Sequence, residues 1–421
     1  MMHKQKLSRR DLLKSSAVAA GTLALSGAVV PLAQAQGSDT IRVGVVGCGG
    51  RGSGAAVNCV ESSPGVKIVA LADAFPDRMK TLKDKFSVPD NRCFVGIHAY
   101  KELMALEDIN VVILATPPGF RPQTLAEAVK RGKNVFMEKP VAVCPAGIKM
   151  VFEASDLAKQ KGLAIVAGTQ RRHERKYVET MKRIHDGAIG DIVSAQCYWN
   201  MGQLWVSERQ PGQSDIEWQI RNWLYFTWLS GDHICEQHVH NIDVINWATG
   251  EQPVSVWGVG GRQYRTGPEH GNIFDHFGVE FVYPNDMRTI SQCRQIDGTD
   301  GNVSERVMGT KGMSNCAGRI EGENAWRYRG ENPNPYVEEH KDLIASIRSG
   351  NPLNEGRQVA ESTLCAIMGR ESAYSRLRFT SKAFMSHCTL DLLPPEGLNI
   401  KDSKEVPAFA VPGKYKLGGL G

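Results

Sequence analysis

The chain has 421 residues, 42% of them hydrophobic and 23% charged, with 43 Gly and 20 Pro. This composition excludes a collagen-like, disordered or coiled-coil protein, and the length accommodates two or three domains. The formal charge is +5, but the first 35 residues hold Lys4, Lys6, Arg9, Arg10 and Lys14 against Asp11, a net +4; the remaining 386 carry +1 and offer no basic footprint for nucleic acid.

Residues 8–14 read Ser-Arg-Arg-Asp-Leu-Leu-Lys, an apolar run of 14 follows from Ala17 to Val30, and Ala33-Gln34-Ala35 is a small-x-small exit. This pattern predicts a signal peptide over residues 1–35. Its apolar run is shorter than the roughly 20 residues a spanning helix needs, so no stable membrane insertion is expected. The adjacent arginines with Lys14 resemble a twin-arginine signal, with Leu12 where that signal often has Phe. The expectation is export to the periplasm by the twin-arginine translocase, as a folded chain already holding its ligand. Ten cysteines, none in a Cys-x-x-Cys pair, read as buried free thiols.

Ile41–Val46 is an apolar run suited to a buried parallel strand. Gly47-Cys-Gly49-Gly50-Arg51-Gly52 follows at once, a G-x-G-x-x-G turn opening a helix that can run to Ser62. Such glycines let the backbone turn tightly and approach a pyrophosphate at a helix N-terminus. Val66–Ala72 reads as the next strand and ends at Asp73, 26 residues after Gly47, near the spacing for a carboxylate on the adenosine ribose hydroxyls. That carboxylate favours NAD over NADP, and Arg78 nearby weakens the preference. Further strands are predicted at 110–115, ending in Thr116-Pro117-Pro-Gly, and at 134–137, leading into Glu138-Lys139-Pro140, with a helix between at 124–131. The alternation predicts a doubly wound parallel sheet over residues 40–165, with ligands at the carboxyl ends of its strands. The candidate cofactor-binding residues are Gly47, Gly49, Gly50, Arg51, Gly52, Asp73, Thr116, Pro117, Glu138 and Lys139.

These motifs, with Arg171-Arg172, Gly187-Ala-Ile-Gly-Asp-Ile192, His240-Asn-Ile-Asp243 and Trp247, resemble the glucose–fructose oxidoreductase / inositol dehydrogenase (Gfo/Idh/MocA) family from about residue 40 to 380. One departure is Arg121, where many members have His. The resemblance implies an N-terminal Rossmann-type domain and a C-terminal α+β domain with an open, mostly antiparallel sheet. It also implies a homodimer or homotetramer packed through those sheets. The sequence agrees with the second domain over 166–380: a helix at 176–186, strands near 192–200, 254–262, 276–283 and 287–296, and helices at 335–349 and 358–377. Residues 381–421 read as an extended arm.

Chemistry gathers in Gly231-Asp-His233-Ile-Cys-Glu236-Gln-His238-Val-His240. If this stretch is extended, Glu236, His238 and His240 share one face. The resemblance implies a His preceded four residues earlier by Asp; His240 matches the His, and Glu236 stands at the acid's place. Alcohol oxidation needs a base as hydride leaves, and a His of near-neutral pKa suits it. We therefore assign His240 as base, Lys139 as the cation polarising the oxygen, and Glu236 as the group orienting the imidazole. No metal is assigned, because ligands at 236, 238 and 240 would have to converge from one strand with no second ligand segment. Five of the eight tryptophans fall between Trp199 and Trp228. Aromatic faces with planar donors suit a sugar ring, so Arg221, Asn222 and Trp223, with Arg172 and His238, are the substrate candidates.

The sequence thus predicts an NAD(P)-dependent oxidoreductase acting on a carbohydrate CH–OH with a tightly bound cofactor. Its rivals are an NAD-dependent glycosidase using transient C3 oxidation and elimination, and a non-catalytic sugar-binding protein on the same fold.

Overall fold

The computed structural model describes residues 40–420; the expected signal peptide lies outside them. Six strands form the first sheet: β1 (Ile41–Val46), β2 (Val66–Asp73), β3 (Cys93–Val95), β4 (Val111–Leu114), β5 (Asn134–Met137) and β6 (Ile165–Ala167). They pair in the order β3-β2-β1-β4-β5-β6, all parallel. Runs such as Val111–Leu114 are buried at every position, as a sheet covered on both faces requires. The strand order reverses between β1 and β4, which opens a crevice at their carboxyl ends.

The second sheet has nine strands: β7 (Ile192–Met201), β8 (Ser255–Gly261), β9 (His276–Val282), β10 (Arg288–Gln295), β11 (Asn302–Gly309), β12 (Gly312–Ser314), β13 (Arg319–Gly322), β14 (Trp326–Arg327) and β15 (Phe379–Thr380). Their order is β14-β13-β12-β11-β7-β10-β9-β8-β15; only β7 and β10 run parallel. Helices Val239–Thr249 and Gly356–Ser375 cover one face. Val193, Trp257, Val259, Ile290 and Val303, on four of the strands, are exposed. A doubly wound parallel sheet followed by an open, mostly antiparallel one is the fold class the sequence predicted.

Two local expectations shift. The helix expected at 124–131 begins at Arg121, because Pro122 is preorganised for a first turn. The segment after 381 is not extended throughout: Thr380 caps a helix over Ser381–His387. Beyond it the chain returns along its own surface, where Pro394 and Lys404 carbonyls accept from Gln123 (2.8 Å) and Gln219 (2.7 Å). All ten cysteines are free thiols, and nine are buried. Among the described residues no helix is long and apolar enough to cross a membrane.

The C-terminal third also packs back on the first sheet. Leu343 and Ile344 of helix Pro335–Arg348 join the core made by β1, β2 and helix Gly50–Ser62. His173 completes the seam, with Nδ1 2.7 Å from Asp342 and Nε2 3.3 Å from Glu355. Burial opposes protonation of His173, but the bonds to Asp342 and Glu355 outweigh it and raise its pKa to about 10. That value lies above the unfolded one of about 6.5. The stabilisation is therefore complete below about pH 6.5 and is lost as pH rises through about 10. The stability difference between wild type and His173→Gln, measured by urea unfolding, should narrow across that window; a difference that stays constant would refute the coupling.

Candidate functional site

A cavity of about 520 Å³ follows the crevice and is lined by the glycine loop, Asp73, Phe75, Arg78, Thr116 and Pro117. Gly47 takes φ +90°, and a Cβ there would come within 2.6 Å of the Ala115–Thr116 backbone. At Gly52 a Cβ would stand 1.8 Å from the Gly47 carbonyl oxygen. Gly49 and Gly50 face open space. Helix Gly50–Ser62 starts there with no side-chain cap and no acid in its first turn, leaving its first N–H groups for an anion. Asp73 accepts from Cys48 N (2.6 Å) and Phe75 N (2.9 Å), and each oxygen keeps a lone pair for a ligand. Thr116 Oγ1 is buried without a partner, a polar atom awaiting one. A dinucleotide fits this cradle.

Arg121 braces the cradle from beneath. Its guanidinium is buried and donates to the Leu114 and Thr116 carbonyls (2.7 Å for Thr116), and burial lowers its pKa to about 10. Arg51 and Glu138 pair with each other, and Arg51 also reaches Glu339 at 3.1 Å. Glu138 therefore acts on the loop through Arg51. Burial, with Glu138 nearby, pushes the Glu339 carboxyl well above its usual range.

Lys139, just beyond β5, donates to Glu236 Oε1 at 3.0 Å and to the Glu236 carbonyl. His240 is 7% exposed, its ring stacks on Trp199 at 5.7 Å, and its Nδ1 has no partner. Burial, then the charges of Lys139, Arg171 and Arg51, hold its pKa well below the usual value, so it is neutral at pH 7. The structure thus brings Lys139, Glu236 and His240 together, but Glu236 holds Lys139 and not the imidazole.

Several expectations are corrected. Residues 233–240 are not a strand: His233–Glu236 is a helical turn capped by Asp232, and the next helix begins at Val239. His238 is buried, bonds Ser291 Oγ at 2.7 Å, and is pushed down to about 3 by burial; it faces the core and no substrate. Arg172 is clamped by Asp243 (2.8 and 2.9 Å) over the Trp247 ring and is a brace. Asn222 is fully buried, donating to the Glu269 carbonyl and accepting from Ser207 N. Arg221 and Trp223 line the dinucleotide cavity instead of standing with His240.

Sequence reasoning missed Arg171, Trp199 and Glu305 as a group. Arg171 lies 5.6 Å over Trp199, on whose ring His240 also stacks. Glu305 accepts from Arg171, Tyr177 (3.1 Å) and Asn241 (2.6 Å). Glu305 sits on β11 with no motif around it; Trp199 was visible only as one of a tryptophan-rich run.

Residues 41–169 match the model of an oxidoreductase family with an NAD-binding Rossmann fold, and 177–315 match the GFO/IDH/MocA C-terminal domain. An inositol 2-dehydrogenase from Rhizobium meliloti (strain 1021) is 24% identical over 217 residues, 52% of this chain and 57% of that protein. A glycosyl hydrolase family 109 protein from Porphyromonas gingivalis is 27% identical over 190 residues, 41% of this chain and 40% of that protein. The crystal structure of scyllo-inositol dehydrogenase from Lactobacillus casei with bound NAD(H) and scyllo-inositol has a TM-score of 0.64 at 20% identity. It covers 82% of this chain and 99% of that one, a likeness of fold. The chain spans about three fifths or less of the length of the curated relatives it matches.

The glycine geometry gives a paired prediction. Gly52→Ala must displace the Gly47 carbonyl and should lower the thermal midpoint and abolish nucleotide retention. Gly54→Ala meets only the Arg51 side chain at 3.6 Å and should be tolerated, gaining about 0.5–1 kcal/mol from helix propensity. Equal behaviour of the two variants in calorimetry and nucleotide release would refute this reading of the loop.

Proposed function

Because the chain belongs to the Gfo/Idh/MocA family of oxidoreductases, we propose that it transfers hydride between a tightly bound nicotinamide dinucleotide and a secondary alcohol of a sugar or glycoside. The observation that carries this reading is the meeting of a buried neutral His240 with the Lys139–Glu236 pair, where Lys139 stands two residues beyond the end of β5. When bound, the dinucleotide supplies the hydride acceptor and donor. The chain's own groups do the proton work. His240 takes the hydroxyl proton in oxidation and returns it in reduction. The Lys139 ammonium stabilises charge developing on the same oxygen, in a site where Glu236 holds it with its head mostly out of water. Asp73, whose carboxylate repels a 2′-phosphate, supports NAD over NADP.

The Arg9-Arg10 motif supports export to the periplasm through the twin-arginine translocase with nucleotide already loaded. A loaded chain needs a second substrate, not free NAD, to close its cycle. The exposed apolar side chains of the second sheet support a homodimer or homotetramer. A second reading is supported by the likeness to a glycosyl hydrolase family 109 protein: glycoside cleavage through transient oxidation at C3 and elimination, with the same His240 and Lys139 moving protons.

Unfolding the purified mature protein and quantifying released nicotinamide nucleotide tests the proposal. Close to one per chain is expected, and its absence after native export would overturn tight binding. Glycosides screened without added NAD then separate net redox change from net cleavage. Lys139→Ala and His240→Gln should each lower kcat by a factor on the order of 10²–10⁴ while retaining nucleotide. Since the His240 pKa is lowered, its base form persists further into acid, and the acid limb of kcat/KM should fall below about pH 6.5. A limb at or above that value would assign the base elsewhere.

A further inference from the structure

Two of the side chains that sequence alone gave to the sugar, Arg221 and Trp223, stand at the wrong end of the crevice for that task. The cavity walls come from both halves of the chain. Asp73 ends β2, and Phe75 and Arg78 follow it, where the adenosine half of a dinucleotide is held in this topology. Trp205, Arg221 and Trp223, from a segment after β7, line the same cavity beside them. Arg221 is fixed there from three sides. Its Nη1 and Nη2 each lie 3.2 Å from the Asp77 carboxylate, its Nε is 3.0 Å from Glu217, and its guanidinium stands 3.8 Å over the Phe75 ring. Trp205 meets Trp223 edge-on at 6.3 Å, yet is 49% exposed, an indole left at the mouth of a cleft.

The segment is also anchored from behind. Ser207 N donates to Asn222, and its carbonyl accepts from Trp218 Nε1 at 3.1 Å, which ties the Trp205 loop to helix Asp215–Arg221. On the far side of that helix the C-terminal arm grips Ser214, Asp215 and Gln219 through Ile400, Ser403 and Lys404. An aromatic pair and a planar, immobilised guanidinium over one half of a cavity form a stacking surface for a purine.

We infer that Trp205, Arg221 and Trp223 form a latch that closes over the adenosine half of the groove and retains the dinucleotide through turnover. The inference rests on the cofactor reading above and adds the device that makes binding persistent. The latch acts on the dissociation rate, because the nucleotide leaves only when the loop from 202 to 214 swings away and Arg221 gives up Asp77 and Phe75.

The test is displacement kinetics. Full mature protein is loaded with NADH, mixed with a large excess of NAD, and followed by loss of bound-NADH fluorescence. Trp205→Ala, whose side chain is half exposed, should fold normally and release NADH about tenfold faster or more. Arg221→Ala should do the same, and Arg221→Lys, which keeps charge but not the planar stack, should resemble Ala more than wild type. Release from both Ala variants at the wild-type rate, with unchanged circular dichroism, overturns the latch. Failure of the wild-type chain to bind NADH at all overturns the cofactor reading, and the latch with it.

Discussion

One buried ion pair sets the arrangement of the site. Lys139 lies just beyond β5 of the first sheet, and Glu236 lies in a short helical turn of the second domain; both side chains are almost out of water. Removing one partner would strand a buried charge, a loss of about 3–5 kcal/mol. The turn that presents Glu236 is itself over-determined. Asp232 adopts φ +71°, an unfavourable region for a residue with a side chain, and its carboxylate accepts from His233 N and Nδ1, Phe274 N and the Tyr374 hydroxyl. Strain at one residue is tolerated because four bonds enforce it. The ammonium beside His240 is therefore fixed by a chain of constraints that starts in the second sheet and ends at the first.

Much of the first domain was legible because its signals are local. A glycine turn between two apolar runs has few structural solutions, and Gly47, Gly52 and Asp73 stand where the spacing placed them. In the second domain β7 to β10 were legible in the sequence but β11 to β15 were not. The site between them was less so, because its partners are remote in sequence: Ser291 claims His238 from 53 residues away, Asp243 claims Arg172 from 71, and Glu305 claims Arg171 from 134. A polar residue in a polar run looks available until the fold supplies its partner. The period was misread at 233–240 for a related reason. A single helical turn, a break at Gln237–His238 and the first residues of the next helix pass for alternation. The tryptophans divided the same way: Trp218 and Trp228 went to a core with Phe226, Trp199 to His240, and Trp205 and Trp223 to the dinucleotide cavity.

The charges around His240 show how a site dense in cations keeps a usable base. Each cation named near the imidazole carries its own carboxylate: Lys139 has Glu236, Arg171 has Glu305, and Arg51 has Glu138 and Glu339. Pairing lets Lys139 and Arg171 be buried, with Arg51 half-buried beside them, without expelling one another. It does not cancel them at the ring, because the imidazole lies in their field and its pKa is lowered. A neutral imidazole in such a field resists protonation from solvent. In the proposed reaction it gains affinity for a proton only when negative charge develops beside it, on an oxygen facing both Lys139 and His240. On that proposal proton transfer is tied to the moment hydride leaves the neighbouring carbon, and the burial that lowers the basicity of His240 in the resting protein also makes its proposed action conditional on substrate.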